Sequence, residues 1–233
     1  MSVAAAAGPV HHAGMNVDDA LKQRISIRAF TDQPVSEQTL RDLLDVARYA
    51  PSGGNLQPWR VIAVTGAERD AVIALAQANM PGVEDDKPIY PPNLWEPYRS
   101  RRFKVGEDLY ALLGITRENK MARLMHVAQN YQFFGAPVGL FFVIDKGMGH
   151  GQWAHLGMFM QSIALAAIER GLGTCMQEAW ARFRAPLAQH FALPDSEMIY
   201  CGMALGYPDT SATINKLRSD RASVDEIATF KGF

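Results

Sequence analysis

The chain has 233 residues, of which 48% are hydrophobic and 20% charged, enough to bury one sizeable core. Its formal net charge of -1 and pI of about 6.6 argue against a polyanion such as nucleic acid as the main partner, and no run approaches the roughly 18 to 20 apolar residues of a membrane span. Cys175 and Cys201 lie far apart in apolar surroundings without Cys-x-x-Cys or Cys/His spacing, which points to buried thiols in a reducing cytosol rather than to disulfides or zinc.

Residues 1–15 have no basic region ahead of a long apolar stretch and read as a flexible tail, with residues 16–233 as a single α+β domain. A short helix is expected over Asp18 to Arg24, broken before Pro34. Ser36 is an N-cap residue type, and Leu40, Leu43, Leu44 and Ala47 follow at i, i+3, i+4 and i+7, the pattern of an amphipathic helix. Arg60 to Val64 is short and β-rich, and a helix over Glu68 to Ala78 follows it. From Met80 to Pro97 the chain is rich in proline and aromatics, a long loop or lid of a kind that is often functional. Helical patterns resume over Tyr98 to Leu113 and Arg117 to Phe133. Val138 to Ile144 reads as a strand, Gly147 to Gly151 as a turn, and Trp153 to Arg170 as a helix apolar on all sides, hence buried. A strand at Thr174 to Gln177, a helix near Arg184 to Phe191, a strand at Met198 to Leu205 and an irregular C-terminal arm complete the chain.

Four constellations carry candidate chemistry. Arg24, Ser26 and Arg28 alternate, so in an extended segment they project to one side and converge on an anion, and guanidinium forks suit phosphate. Arginines beside a helix end are also commonly solvated, so the motif alone leaves both readings open. Pro51-Ser-Gly-Gly-Asn-Leu-Gln-Pro-Trp59 places glycines beside Ser52, Asn55 and Gln57, which allows close approach to a heterocycle edge or simply a rigid turn plugged by a Trp. Gly171 to Glu178 leaves the buried helix as a strand, and Asn215-Lys-Leu-Arg218 offers a second basic pair. His126, His150, His155 and His190 show no ligand spacing such as H-E-x-x-H, so no metal site is expected.

Together and in this order, RISIRAF, ARYAPSGGNLQPWRVI, FFGAPVGLFF, ERGLGTC and GMALGYP resemble the nitroreductase family from about Leu21 to Arg218. Within it, EPYRSRR followed by GEDLYALLGI is most similar to the nitrobenzoate-reductase branch. The resemblance implies a central mixed, mainly antiparallel sheet flanked by helices, and an intertwined homodimer with FMN in the subunit interface. It implies that Arg24, Ser26 and Arg218 hold the cofactor phosphate with Lys216 close by, and that Arg28 lies at the flavin pyrimidine edge. Pro51, Ser52, Gly53 and Asn55 would reach in from the partner, and the backbone at Glu178 and Ala179 would face the flavin. Many relatives carry glycine where Ala179 stands. Gln132 aligns with a polar flavin contact, as Gln129 does, and Tyr131 and Phe134 are candidates for the substrate side, with core packing as the other reading.

The implied activity is two-electron, ping-pong reduction of aromatic nitro compounds by NADH or NADPH, to nitroso and hydroxylamine products. Quinone or enone reduction on the same scaffold, or flavin binding without turnover, are the alternatives.

Overall fold

The computed structural model describes residues 15–83 and 90–233. The expected tail at residues 1–15 therefore lies, except for Met15, outside the described residues, as does 84–89 within the expected lid.

Helix α1 (Val17–Gln23) is capped by Asn16, whose side chain accepts from the Asp19 N–H, and α2 (Glu37–Ala47) is capped in the same way by Ser36. Strand β1 (Arg60–Thr65) leads into α3 (Gly66–Ala78), and α4 (Tyr98–Leu112) follows the proline-rich segment. Helix α5 (Lys120–Ala128) and a 3-10 segment (Gln129–Gly135) precede β2 (Val138–Asp145). Helix α6 (His150–Glu169), β3 (Gly173–Gln177), a 3-10 turn (Glu178–Phe183), α7 (Arg184–His190), β4 (Glu197–Gly206), a second turn (Thr213–Lys216) and α8 (Val224–Ile227) complete the order.

The four strands are ordered β1-β2-β4-β3, and every pairing between them is antiparallel. The parallel component expected of a mixed sheet is confined, among the described residues, to a bridge between Ser26 and Thr174. Strands β2 and β4 are buried on both faces, so they read as continuous apolar runs rather than alternating ones. A register shift after Phe142 leaves Tyr200 of β4 without a partner, a bulge that returns Ile199 and Cys201 to opposite faces. On one face α2 and α6 bury Leu43, Leu140, Leu156, Ile163 and Met203. On the other, α3 and α7 close over Phe133, Phe141, Trp180 and Phe183. Gly139 and Gly202 make that second layer feasible, since a Cβ at either would overlap the ring of Phe133 or of Trp180.

Two helices differ from their sequence expectations. The pattern expected from Arg117 to Phe133 starts later, at Lys120, where the Asn119 side chain caps α5 by accepting from the Ala122 N–H, and after Ala128 it tightens into the 3-10 segment. At the far end Phe133 (φ 51°) and Phe134 (φ 53°) are left-handed, a conformation that no α-helix admits. Helix α6 also begins inside the expected turn, at His150.

The described parts of the proline-rich segment are anchored at both ends. The Val83 N–H donates to the Arg182 carbonyl at 2.9 Å, the Arg102 guanidinium lies 4.1 Å over the Tyr90 ring, and Trp95 meets Tyr98 edge-on. Among the described residues no helix is long and apolar enough to cross a membrane.

Candidate functional site

After α1 the chain runs extended along the free side of β3. The Ile27 N–H donates to the Thr174 carbonyl at 2.9 Å, and Phe30 bridges Pro208. Ile27 is buried, while Arg24, Ser26 and Arg28 are each half-buried, as are Ile25 and Ala29 between and beside them. All three act on the Cys175 thiol, which burial pushes up against the opposing pull of Arg28, Ser26 and Arg24. The three donors therefore share one locality.

Asn215 locks this strip to the C-terminal turn. Its Oδ1 accepts from the Arg28 N–H at 2.8 Å, and its Nδ2 donates to the carbonyls of Ala29 (2.8 Å) and Asp209 (2.9 Å). The turn that carries Asn215 also presents Lys216 and Arg218, which line a depression with Lys104, Asp108 and Asp220. Arg218 donates to the backbone carbonyls of Asn215 and Leu217. Arg221, three residues further on in irregular chain, was not among the sequence candidates. Burial, and after it the charge of Arg221, lower the Arg24 guanidinium from its ordinary value.

The basic residues of this region, like Lys22, Lys120 and Lys231 elsewhere on the surface, have no ion-pair partner among the described residues. Arg41, Arg48, Arg60, Arg69, Arg99, Arg101, Lys104 and Arg123 each pair with a carboxylate, yet among the described residues Arg24, Arg28, Lys216, Arg218 and Arg221 form no ion pair. Like charges gathered without counter-charges are destabilising unless an anion joins them. The donor set suits a phosphate monoester, which carries about -1.5 to -2 charges near pH 7.

The Pro51 to Trp59 segment occupies another place. Gly54, Asn55 and Gln57 are left-handed (φ 61°, 53° and 49°) and shape a 3-10 turn over Gly53–Asn55. Ser52 Oγ accepts from the Gln57 N–H at 2.9 Å, the Gly53 N–H reaches His155 Nδ1 at 3.4 Å, and Trp59 stacks on Phe159 with centroids 4.8 Å apart. Pro51, Gly53 and Asn55 are exposed. This loop thus sits on the first half of α6, whereas the arginine strip lies beside β3, reached from the helix's other end. The 14 residues between His155 and Glu169 span about 20 Å at 1.5 Å per residue. No hydrogen bond or ion pair among the described residues joins the two motifs.

Glu178 and Ala179 open the turn after β3. Buried Gln177 fixes that turn by donating from Nε2 to the Asn130 carbonyl at 2.7 Å and accepting at Oε1 from Trp180 Nε1. It thereby ties the turn to the left-handed segment that carries Tyr131, Gln132 and Phe134. The Glu178 residue is exposed as a whole, but partial desolvation still pushes its carboxyl above the usual carboxylate range. Gln132 is exposed. Tyr131 is 7% exposed and meets Trp180 and Phe183 edge-on at 5.5 and 4.8 Å, so its ring packs in the aromatic core of this copy. Phe134, equally buried, lies 6.0 Å from the His126 ring. Burial, then the Arg28 charge, lower the His126 pKa, which puts this histidine near the arginine strip. No spacing rule marked it. Among the described residues no group of His, Cys, Asp or Glu is placed to hold a metal ion.

Comparison with known proteins gives a consistent answer. The sequence profile described as "Nitroreductase family" matches residues 21–207. The chain is 38% identical over 217 residues to a 4-nitrobenzoate reductase of Pseudomonas putida, covering 93% of this chain and 96% of that one. It is 37% identical to a nitrobenzene nitroreductase of Ectopseudomonas oleovorans, covering 92% and 96%. Among solved structures, the FMN- and NADPH-dependent nitroreductase NfnB from sphigopyxis sp. strain HMH superposes with a TM-score of 0.91 at 42% identity, over 94% of this chain and all of that one. The FMN-dependent NfnB from Mycobacterium smegmatis, solved with NADPH, gives 0.86 at 28% identity over 92% of this chain and 97% of that one.

Proposed function

Because this chain belongs to the nitroreductase family, we propose that it binds FMN and uses NADPH or NADH to reduce aromatic nitro compounds. The observation that carries this reading is that Arg24, Ser26 and Arg28 share one strip, to which Asn215 ties the turn bearing Lys216 and Arg218, with no ion-pair partner for any of the four cations. Arg24, Ser26, Lys216 and Arg218 hold the phosphate. Arg28, whose backbone Asn215 fixes, lies at the pyrimidine edge, where its charge favours the reduced cofactor. The backbone at Glu178 and Ala179 borders the ring, Gln132 offers a polar contact, and His126 lies toward the substrate side with Phe134 packed behind it. Tyr131 supports that side from behind. When bound, FMN supplies the redox chemistry, accepting hydride from the nicotinamide and returning two electrons to the nitro group.

The separation of the loop from the strip favours a homodimer, with Pro51, Ser52, Gly53 and Asn55 of one copy completing the site of the other. Helix α6, on which that loop rests, exposes Gly151, Ala154, Gly157 and Met158 along one side, a narrow face suited to close helix approach. Residues 16–233 act as one domain in the cytoplasm, with the proline-rich segment as a lid.

Steady-state kinetics test the proposal. With NADPH or NADH and 4-nitrobenzoate, double-reciprocal plots should be parallel, since both substrates use the same face in turn. Intersecting lines would defeat the ping-pong scheme. A bound flavin that NAD(P)H bleaches but nitroarenes cannot reoxidise would defeat the substrate class.

A further inference from the structure

We infer that His155 is a positioning residue for the flavin site of the second copy: from helix α6 it holds the Gly53–Asn55 turn in the place where the partner's cofactor meets it. This rests on the FMN homodimer reading above and adds to it a residue outside the motifs which that reading uses.

The turn has little else to hold it. Most of its hydrogen bonds are internal: the Asn55 N–H donates to the Ser52 carbonyl at 2.9 Å, the Leu56 N–H to the Gly53 carbonyl at 3.3 Å, the Gln57 N–H to Ser52 Oγ at 2.9 Å and Gln57 Nε2 to the Asn55 carbonyl at 3.3 Å. Such bonds fix the turn's shape and leave it free to swing about its ends. Those ends are secured, at Ala50 by the last turn of α2 and at Trp59 by the stack on Phe159. Between them, the bond from the Gly53 N–H to His155 Nδ1, at 3.4 Å, is the one hydrogen bond among the described residues that ties 51–57 to the rest of the chain. The ring also stands against the backbone at that point, since a Cβ on Gly53 would lie 3.2 Å from His155 Cε1. Left-handed Asn55 and Gln57 give the tie its importance, because side-chain-bearing residues keep that costly conformation only where their surroundings hold it.

The chemistry of the imidazole decides which of its forms does this. Nδ1 lies 3.2 Å from Gln152 Oε1 as well as 3.4 Å from the Gly53 nitrogen. A protonated Nδ1 donates to Gln152 and has nothing to offer Gly53. An unprotonated Nδ1 accepts from Gly53, and the Gln152 amide, whose oxygen and nitrogen exchange places by rotation, turns its NH2 toward the same atom. The neutral tautomer with its proton on Nε2 therefore holds the turn, and Gln152, three residues earlier on α6, steers the ring.

The test pairs substitutions that keep or remove the acceptor. Asparagine places Oδ1 near the position of Nδ1, whereas leucine fills similar space with no acceptor. In the full-length dimer, His155→Leu should weaken FMN binding about threefold to tenfold, the range for one neutral hydrogen bond, and His155→Asn should recover most of the loss. Because the turn serves the other copy, the defect should also act in trans. A mixed dimer of one His155→Leu chain and one Arg24→Ala chain, isolated with two affinity tags, keeps one site with an intact strip and an intact turn, so it should bind one flavin with unaltered affinity. Unchanged FMN affinity in His155→Leu overturns the inference, and so does an equal loss in His155→Asn, which means that the ring only packs. A mixed dimer with both sites weakened confines the effect to the turn's own chain and overturns it too. If the unaltered protein binds no FMN, or binds it as a monomer by light scattering, the reading beneath falls first, whereas a flavin-loaded dimer with any of the three contrary results defeats this inference alone. His155 is half-buried and its ring bonds only to Gly53 and Gln152, so the variants should fold, which circular dichroism checks.

Discussion

On the face of the sheet covered by α2 and α6 the buried side chains are chiefly Leu, Ile, Met and Val, whereas the face closed by α3 and α7 is filled by Tyr131, Phe133, Phe141, Trp180 and Phe183. The aliphatic face is built from two regular helices and packs like any interior. The aromatic face is built from irregular turns, whose rings meet edge-on or stacked within 6.2 Å of one another and need glycines beneath them. The difference is instructive because the candidate site leans on the second face. Glu178, Ala179, Gln132 and Phe134 all sit on the two turns that those rings hold in place. Regular helices supply stability in bulk, while the aromatic layer sets the position of backbone that no helix could position.

The sharpest way to break this comparison is to remove its central ring. Trp180→Ala should cost about 3 to 5 kcal/mol of stability by denaturant unfolding and also weaken FMN binding, because the turn carrying Glu178 and Ala179 loses its support. Normal flavin affinity in a folded Trp180→Ala would detach the site from the aromatic face. On the other face Leu140→Ala, a fully buried strand residue, should cost about 2 to 4 kcal/mol and leave the FMN dissociation constant unchanged in the folded protein. A flavin defect there would erase the distinction. The smallest effect uses a probe that the chain already carries, since Cys201 belongs to the aliphatic cluster and Cys175 to the aromatic one. Burial pushes both thiols up, so both stay protonated and slow to react in the native state at pH 8. Of the two, Cys175 should be alkylated first, on an outer strand of the sheet beside Ser26, and added FMN should slow it alone. Mass spectrometry over a labelling time course reads both rates, and identical rates with and without FMN would count against the placement of the phosphate strip.

The same division decides what could be read from sequence. Helix α2 was legible to its cap because Leu40, Leu43, Leu44 and Ala47 keep helical spacing behind Ser36, and β2 because an unbroken apolar run has few other uses. The shared locality of Arg24, Ser26 and Arg28 was legible as well, since an extended segment needs no long-range information to keep alternate residues near one another. The left-handed pair Phe133 and Phe134 was not, because apolar periodicity runs on unchanged through a segment whose backbone is bent by the packing of its rings. His126 was missed for a related reason: it approaches Arg28 from a separate helix, and that separation leaves no trace in local spacing.

The left-handed pair also constrains the routes by which this chain can change. Backbone at φ near +50° admits glycine, asparagine and aspartate most readily and resists branched side chains, while the aromatic layer asks for large apolar rings at the same positions. Few residue types satisfy both demands. The Phe133 ring, moreover, fills the space that Gly139 leaves empty, so a side chain at 139 is blocked while Phe133 remains, and a smaller residue at 133 opens a void while Gly139 remains. Neither position has an easy first step. The two are locked as a pair, and any lineage that departs from them passes through an intermediate worse than either end.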